Sequence, residues 1–352
     1  NSTSGDVCIQ QNSGRASIVT EIDNNSSTTG DYLAMTSLGG SILVSGNGVY
    51  SASETGILID SFEDLTMSAS IISSGGVVTL DAGGSTALGN GVSLDSNGGD
   101  MRINSFSDLT MAADTTIESQ GGTIVLKSGG NVLAGYIDGR ITDMNDRSTW
   151  GSVAIEAAGY INDQAGDAVT NVSANNLTLT AGTGIGQVPN NGSERGLEIN
   201  AVNLAANTSG GDLALSHSAD VLITTVPQMT VQILNSDGTL SNKTTDGDQA
   251  GVTNTGGNEI IIDSNSAIET DVSVATSGTG RIVLIGDSLT IGSDVSSSGG
   301  SLSISATNDI VLTNFSSISS SNTAEVVLIS DEGSVLGDSG SSIASGGSGA
   351  VV

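Results

Sequence analysis

The feature that most constrains this chain is that it repeats itself. Ser61-Phe62-Glu63-Asp64-Leu65-Thr66-Met67 returns 44 residues later as Ser105-Phe106-Ser107-Asp108-Leu109-Thr110-Met111, and each copy is followed by a Gly-Gly pair and another apolar run. A fixed internal period marks a repeat architecture, in which each unit buries its apolar face against its neighbours. Alternating apolar pairs divide the 44 residues in two: Ile57/Ile59, Val78/Leu80, Met101/Ile103 and Ile124/Leu126 step by 21, 23 and 23 residues. Downstream, Ile260/Ile262, Ile282/Leu284, Leu302/Ile304 and Val326/Leu328 step by 22, 20 and 24.

Inside one unit, apolar positions return about every eight residues, as in Met101/Ile103, Leu109/Met111 and Ile117, or Val78, Leu88 and Leu94. The same step runs through Leu213/Leu215, Val221/Ile223 and Met229, and through Val153, Ile161, Val169, Leu177 and Ile185. Alternation with period two places Ile, Val and Leu on one face and Thr, Ser, Asp and Asn on the other, the pattern of a half-buried strand. Gly, Asn, Ser and Asp between the runs supply the turns. Strands this short are stable only when their backbone groups pair with the turns above and below. The expectation is therefore an all-β, right-handed parallel β-helix (a β-solenoid) of 20–24 residues per turn, with three short strands per turn and about 14 turns; its hand follows the crossover rule. Residues 1–30 read as an irregular N-terminal segment or cap, and residues 31–352 as one continuous solenoid. Loop insertions break the period near 136–151, 187–196 and 227–256, and both prolines, Pro189 and Pro227, lie at these interruptions.

Composition narrows the role. A formal net charge of -30, with 8 basic against 38 acidic side chains, disfavours nucleic acid and anionic membrane surfaces as partners. No run approaches the ~20 apolar residues of a membrane helix, so membrane insertion is not expected. A narrow core of stacked aliphatic side chains accounts for an aromatic content of only 2%. The single cysteine, Cys8, cannot form an intrachain disulfide; it reads as packing beside Val7 and Ile9, or as a staple between subunits. Starting at Asn1 and ending at Ala350-Val351-Val352, the chain reads as a processed protein or a piece of a longer one. Its ends carry no amphipathic helix or charge cluster to cover open strand edges. A second copy stacked end to end, or further repeats of a longer parent chain, is the expected partner.

The stretch Leu177-Thr178-Leu179-Thr180-Ala181-Gly182-Thr183-Gly184-Ile185-Gly186, continuing to Leu197, Val202, Leu204, Thr208-Ser209-Gly210-Gly211 and Leu213, resembles the filamentous-haemagglutinin-type repeats of giant bacterial exoproteins and adhesins. The resemblance covers roughly residues 40 to 335. It implies a secreted or surface-attached right-handed β-helix that serves as an adhesin, stalk or matrix component, with cell-surface glycans or other cells among its partners.

Catalytic patterns are weak. Gly337-Asp338-Ser339-Gly340 spells the tetrapeptide around a serine-protease nucleophile, and His217 is the one histidine, but on a solenoid they lie turns apart, and a triad needs contact. The first reads as a turn and His217 as an outward strand residue. The segment with Asp138, Asp143, Asp146, Arg140, Arg147 and Trp150 is the best ligand loop, since a sugar site calls for an aromatic platform beside charged groups. Its plainer reading is a surface loop pinned by Arg-Asp pairs. Hard cations want several oxygen ligands, so Asp138, Asp143, Asp146, Asp163, Asp167, Asp237, Asp246 and Asp248 are candidate ligands for calcium, although none shows EF-hand spacing. The reading is a non-enzymatic structural or adhesive rod of a bacterial surface or matrix. A self-assembling filament subunit and a polysaccharide-binding or polysaccharide-cleaving β-helix are the alternatives.

Overall fold

The computed structural model describes residues 5–12, 16–25, 30–141, 146–166, 169–186, 196–346 and 350–352. Among them the only helical element is the 3-10 turn Arg147–Thr149; every other regular element is a strand. Parallel strands stack as a β-solenoid of about 13 turns. Contacts divide the chain into two units: Asn1–Gly159 with Gln164–Asn175 and Gln228–Gly247, and Tyr160–Asp163 with Asn176–Pro227 and Asp248–Val352.

In the first unit each turn contributes one strand to each of three columns. Column A pairs Val7, Leu33, Ile57, Val78, Met101, Ile124 and Val153 in succession. Column B pairs Ile42, Leu65, Thr86, Leu109 and Val132. Column C pairs Val49, Ile71, Leu94, Ile117, Ile137 and Val172. From Leu33 inward these residues are essentially inaccessible. The core is thus a set of ladders of like side chains at the ~4.8 Å strand spacing. The second unit repeats the plan. Its column A runs Leu213, Ile260, Ile282, Leu302, Val326, its column B Val221, Ile268, Leu289, Ile310, Val335, and its column C Val252, Val274, Val295, Ile318, Ile343.

Small polar side chains close the corners of this core. Ser37, Ser96 and Ser119 are buried, and each Oγ donates to the carbonyl of the glycine three residues on, at 2.9, 2.5 and 2.7 Å. A hydroxyl that satisfies a turn carbonyl can be buried where an unpaired one could not. Serine is therefore not confined to the outward face, as alternation alone suggests.

Several boundaries differ from the expectation. Residues 1–30 are not an irregular segment or cap throughout. Val7–Gln11 pairs in register with Leu33–Ser37, and Ser17–Asn24 with Ile42–Ser51 across one irregularity between Val19 and Glu21. Polar residues such as Gln10, Gln11, Thr20 and Glu21 blur the alternation there, and the ladder supplies what the side-chain pattern lacks. The insertion near 136–151 starts later, because Tyr136–Asp138 is a column C strand in register with Thr116–Glu118. Most of the 187–196 interruption lies outside the described residues. Val169 is 39% exposed, and Val172 holds the core position.

The segment 227–256 departs furthest. Val252–Asn254 is an ordinary ladder strand of the second unit, and 230–244 is an antiparallel hairpin, Thr230 opposite Thr244 and Leu234 opposite Leu240. It does not project. Within the first unit it lies on the outward face of column A, where Leu234 joins Ala34, Leu58 and Val77 in one apolar cluster with Tyr32 packed against it. The hairpin's edge N–H groups find side-chain acceptors on the turns beneath: Gln232 N donates to Asp100 Oδ2 at 2.7 Å and Leu234 N to Thr79 Oγ1 at 3.0 Å. An edge strand thereby loses its free donors. At the tip, Gly238 (φ +82°) sits so close to Tyr32 that a Cβ would lie 2.2 Å from the ring. Met229 leads into this hairpin and is not the third strand of its turn, the place that Val252 takes in column C.

Candidate functional site

The expected ligand loop starts from column C. Tyr136 and Asp138 point outward on either side of the buried Ile137. Asp138 is the third carboxylate of a ladder, since Asp95 pairs with Glu118 and Glu118 with Asp138 on successive turns. Like charges directly opposite repel. Burial first, and then Asp95 and Asp138, push the Glu118 carboxyl above its ordinary range, with Arg140 opposing.

Arg140 answers the ladder. Its guanidinium grips Asp138 with two prongs, Nε to Oδ1 at 2.8 Å and Nη2 to Oδ2 at 2.7 Å, the fork geometry that makes such pairs strong. The Tyr136 hydroxyl donates to Asp138 Oδ2 at 3.1 Å and accepts from Arg140 Nη2. Burial, ahead of the Asp138 charge, pushes the phenol up to about 12. Arg140 also stacks over the Tyr136 and Trp150 rings at 5.8 and 5.9 Å, and Arg147 over Trp150 at 5.7 Å. Trp150 is only 5% exposed, so its ring is engaged by two cations rather than presented as an open platform. The arrangement pins the insertion to the solenoid face, as cation–π contacts between partly desolvated groups do.

Among the described residues, the acidic candidates serve separate local roles. Asp146 caps the turn Arg147–Thr149, its Oδ1 accepting from Ser148 N at 3.1 Å and Ser148 Oγ at 2.5 Å. Asp237 closes the hairpin tip by accepting from Thr239 Oγ1 at 2.6 Å and Thr239 N at 3.0 Å, and these bonds hold its carboxyl below the usual range. Asp246 lies 3.4 Å from Lys127 Nζ, which also pairs with Glu156 at 2.7 Å. Asp163 ends the strand Tyr160–Asp163, and Asp248 precedes the strand Gln249–Ala250. Asp143 and Asp167 fall outside the described residues. Among the described residues, no three His, Cys, Asp or Glu side chains converge as a metal-holding group.

Two single residues are placed differently from expectation. His217 is buried, not outward. Either tautomer satisfies it, because Nδ1 lies 2.5 Å from Ala219 O and 3.1 Å from Ala219 N, and Nε2 lies 2.9 Å from Ala201 N and 3.0 Å from Ala201 O. It thus tethers backbone in the second unit. Cys8 is exposed rather than packed beside Val7 and Ile9. Its Sγ lies 3.3 Å from the Tyr32 hydroxyl, and that contact leads the causes that raise the Tyr32 phenol to about 12.

What sequence reasoning missed is the work of the corner aspartates. Asp64 Oδ1 accepts from Ser85 N at 2.8 Å, and its repeat counterpart Asp108 accepts from Asn131 N at 2.7 Å. Asp100 holds Thr123 N at 2.8 Å, and in the second unit Asp220 holds Ala267 N at 3.1 Å and Asp309 holds Ser334 N at 2.8 Å. Each carboxylate satisfies a backbone donor one turn onward, so part of the acidity is a system of staples between turns. The signal was present in the repeat itself, where Asp64 and Asp108 recur at one phase and a Gly-Gly pair follows one turn later at each. Comparison with family models finds no match to this chain, and neither does comparison with curated proteins or solved structures.

Proposed function

We propose that this chain is a non-enzymatic structural or adhesive rod of a bacterial cell surface or extracellular matrix, of the filamentous-haemagglutinin type that its repeats resemble. The observation that supports this reading best is how its polar groups are used. The corner aspartates bond the next turn, the described arginines and Lys127 lie against carboxylates or rings, and the single histidine is bonded to backbone. Among the described residues these groups are engaged in holding the turns together, which is the use a structural scaffold makes of them. Incubation with neutral and acidic polysaccharides, with and without calcium, should release neither reducing ends nor unsaturated sugars. Adhesion is read by retention of the labelled protein on bacterial and host cells. Reproducible turnover that disappears in Asp138→Asn or Arg140→Gln would overturn the non-enzymatic reading.

Self-association is the second reading. In column B of the second unit Ile310 is buried, whereas Val335, stacked directly on it, is 43% exposed and Leu336 51%. Another copy meeting this turn head to tail, or further repeats of a longer parent chain, would cover those side chains. Sedimentation of the purified chain over a range of concentrations separates the two, because only stacking copies give a mass that rises with concentration.

A further inference from the structure

The 44-residue repeat is not explained by folding, because a turn needs only about half that length. What returns every second turn is a phenylalanine at one corner. The residue that follows each column A strand donates its N–H to the turn before it: Leu38 to Gln11, Phe62 to Ser37, Gly83 to Ser61, Phe106 to Ala82, Gly129 to Ser105. Successive turns therefore present Leu, Phe, Gly, Phe and Gly along one edge of the first unit. Phe62 is 62% exposed, Phe106 76% and Leu38 54%. Isolated exposed apolar residues are ordinary, but the chain has three phenylalanines and the third, Phe315, is 75% exposed as well. The fold does not need the ring at this corner, because the same position in the second unit is held by Asn265, Asp287, Thr307 and Asp331.

Phe62 and Phe106 stand two strand spacings apart, about 9.6 Å along the edge. The glycine turn between them leaves an open hollow of about 710 Å³, walled by Phe62, Glu63, Asp64, Gly83 and Gly84. Glycine is required there, since a Cβ on Gly83 would lie 2.1 Å from the Phe62 carbonyl oxygen. The edge thus carries two exposed aromatic rings two turns apart, with a depression and carboxylates beside the first.

We propose that this edge binds an extended, neutral β-1,4-linked glycan, stacking alternate pyranose rings on Phe62 and Phe106. The two-sugar repeat of such a chain is close to the ring spacing, and alternate sugars present the same apolar C–H face. Glu63 is exposed at the hollow and accepts hydroxyl donors from the intervening sugar. The net charge of -30 disfavours anionic glycans. A second copy of the chain is a poorer occupant, because single rings separated by glycine turns fall well short of the ~800 Å² per partner of a stable interface. The proposal deepens the adhesive reading above. Its failure leaves the structural reading intact, since that reading is tested by turnover and sedimentation.

Isothermal titration of the full chain with cellohexaose and chitohexaose tests it, with cellobiose and a heparin hexasaccharide for comparison. Binding by at least one hexasaccharide is expected, with the disaccharide weaker by about tenfold or more because it reaches one ring only. Phe62→Ala and Phe106→Ala should each weaken binding by up to about tenfold, the scale of one aromatic contact, and the double variant should abolish it. Phe315→Ala should leave it unchanged. These side chains are exposed, so the variants should melt with the parent. Absence of binding by both hexasaccharides, an unaffected double variant, or preference for heparin would each overturn the proposal. Concentration-dependent dimerisation that Phe62→Ala removes would also overturn it, assigning the edge to a second copy.

Discussion

Replacing Leu234 by alanine should open the docked hairpin and leave the turns beneath it closed. Leu234 is 1% exposed and packs with Ala34, Leu58 and Val77. Truncating a buried leucine to alanine costs about 2–5 kcal/mol, and about 3 is reasonable for a site one strand layer from solvent. At 1.4 kcal/mol per factor of ten, that raises the population of the undocked hairpin by about two orders of magnitude. Hydrogen exchange reads this population directly. The amides of Gln232 and Leu234, bonded to Asp100 and Thr79 side chains, should lose protection by roughly 100-fold. Ladder amides such as Met101 N, bonded to Thr123 O at 2.8 Å, should change little. Thr79→Val removes the acceptor of a buried N–H and should cost about 1–2 kcal/mol at the same locus. The pair should be less than additive, because an undocked hairpin no longer uses either contact. If Met101 N lost protection in step with Leu234 N, hairpin and solenoid would be one cooperative unit and the reasoning would be refuted. The same follows if neither changed.

Glu118→Gln should raise the melting temperature at pH 7, with a gain that shrinks toward zero below about pH 4. A carboxyl whose folded pKa is raised contributes stability that is present below its ordinary value, 4.5 here, and lost as pH rises through the folded value; paired melting curves across pH 3–8 check this. Gly129→Ala would put a Cβ 2.0 Å from the Phe106 carbonyl oxygen and should cost on the order of 3 kcal/mol, against less than 0.5 for Gly337→Ala, whose Cβ meets nothing closer than 3.7 Å. Urea titrations of the two variants measure the difference. In the core, Leu109→Asp places an unpaired charge in the column B ladder and should cost several kcal/mol, whereas the outward neighbour change Thr110→Ser should be nearly silent by the same titration.

How much of this was readable in advance depends on how far apart the interacting residues stand in the chain. The ladders were legible: Ile57, Val78, Met101 and Ile124 pair in the register their spacing implies, as do Ile260, Ile282, Leu302 and Val326. In a solenoid the partner of each residue is its equivalent one period away, so a local pattern and a repeat length together specify the contacts. Some signals were present and overlooked. Leu213, Leu215 and His217 share one parity, which places the histidine inward, but Ser216 and Ser218 disguised it. The recurrent aspartates marked the staples that the charge count merged into general acidity. The cluster around Arg140 was legible in part: its Asp138 partner sits two residues away, but the burial of Trp150 between two guanidinium groups depends on where the insertion returns to the face.

The docked hairpin belonged to the tertiary structure alone. Leu234 meets Thr79 across 155 residues and Gln232 meets Asp100 across 132, and no periodicity relates them. Leu58, Val77 and Thr79 occupy outward positions that alternation assigns to solvent, and they are buried only because a distant strand lies across them. Sequence alone determined the turn, its three strands and their stacking order, because those rest on backbone pairing between equivalent residues. Which outward faces stay open, at the Phe62 edge, and which are covered, beneath the hairpin, was decided by chain segments that meet only when folded.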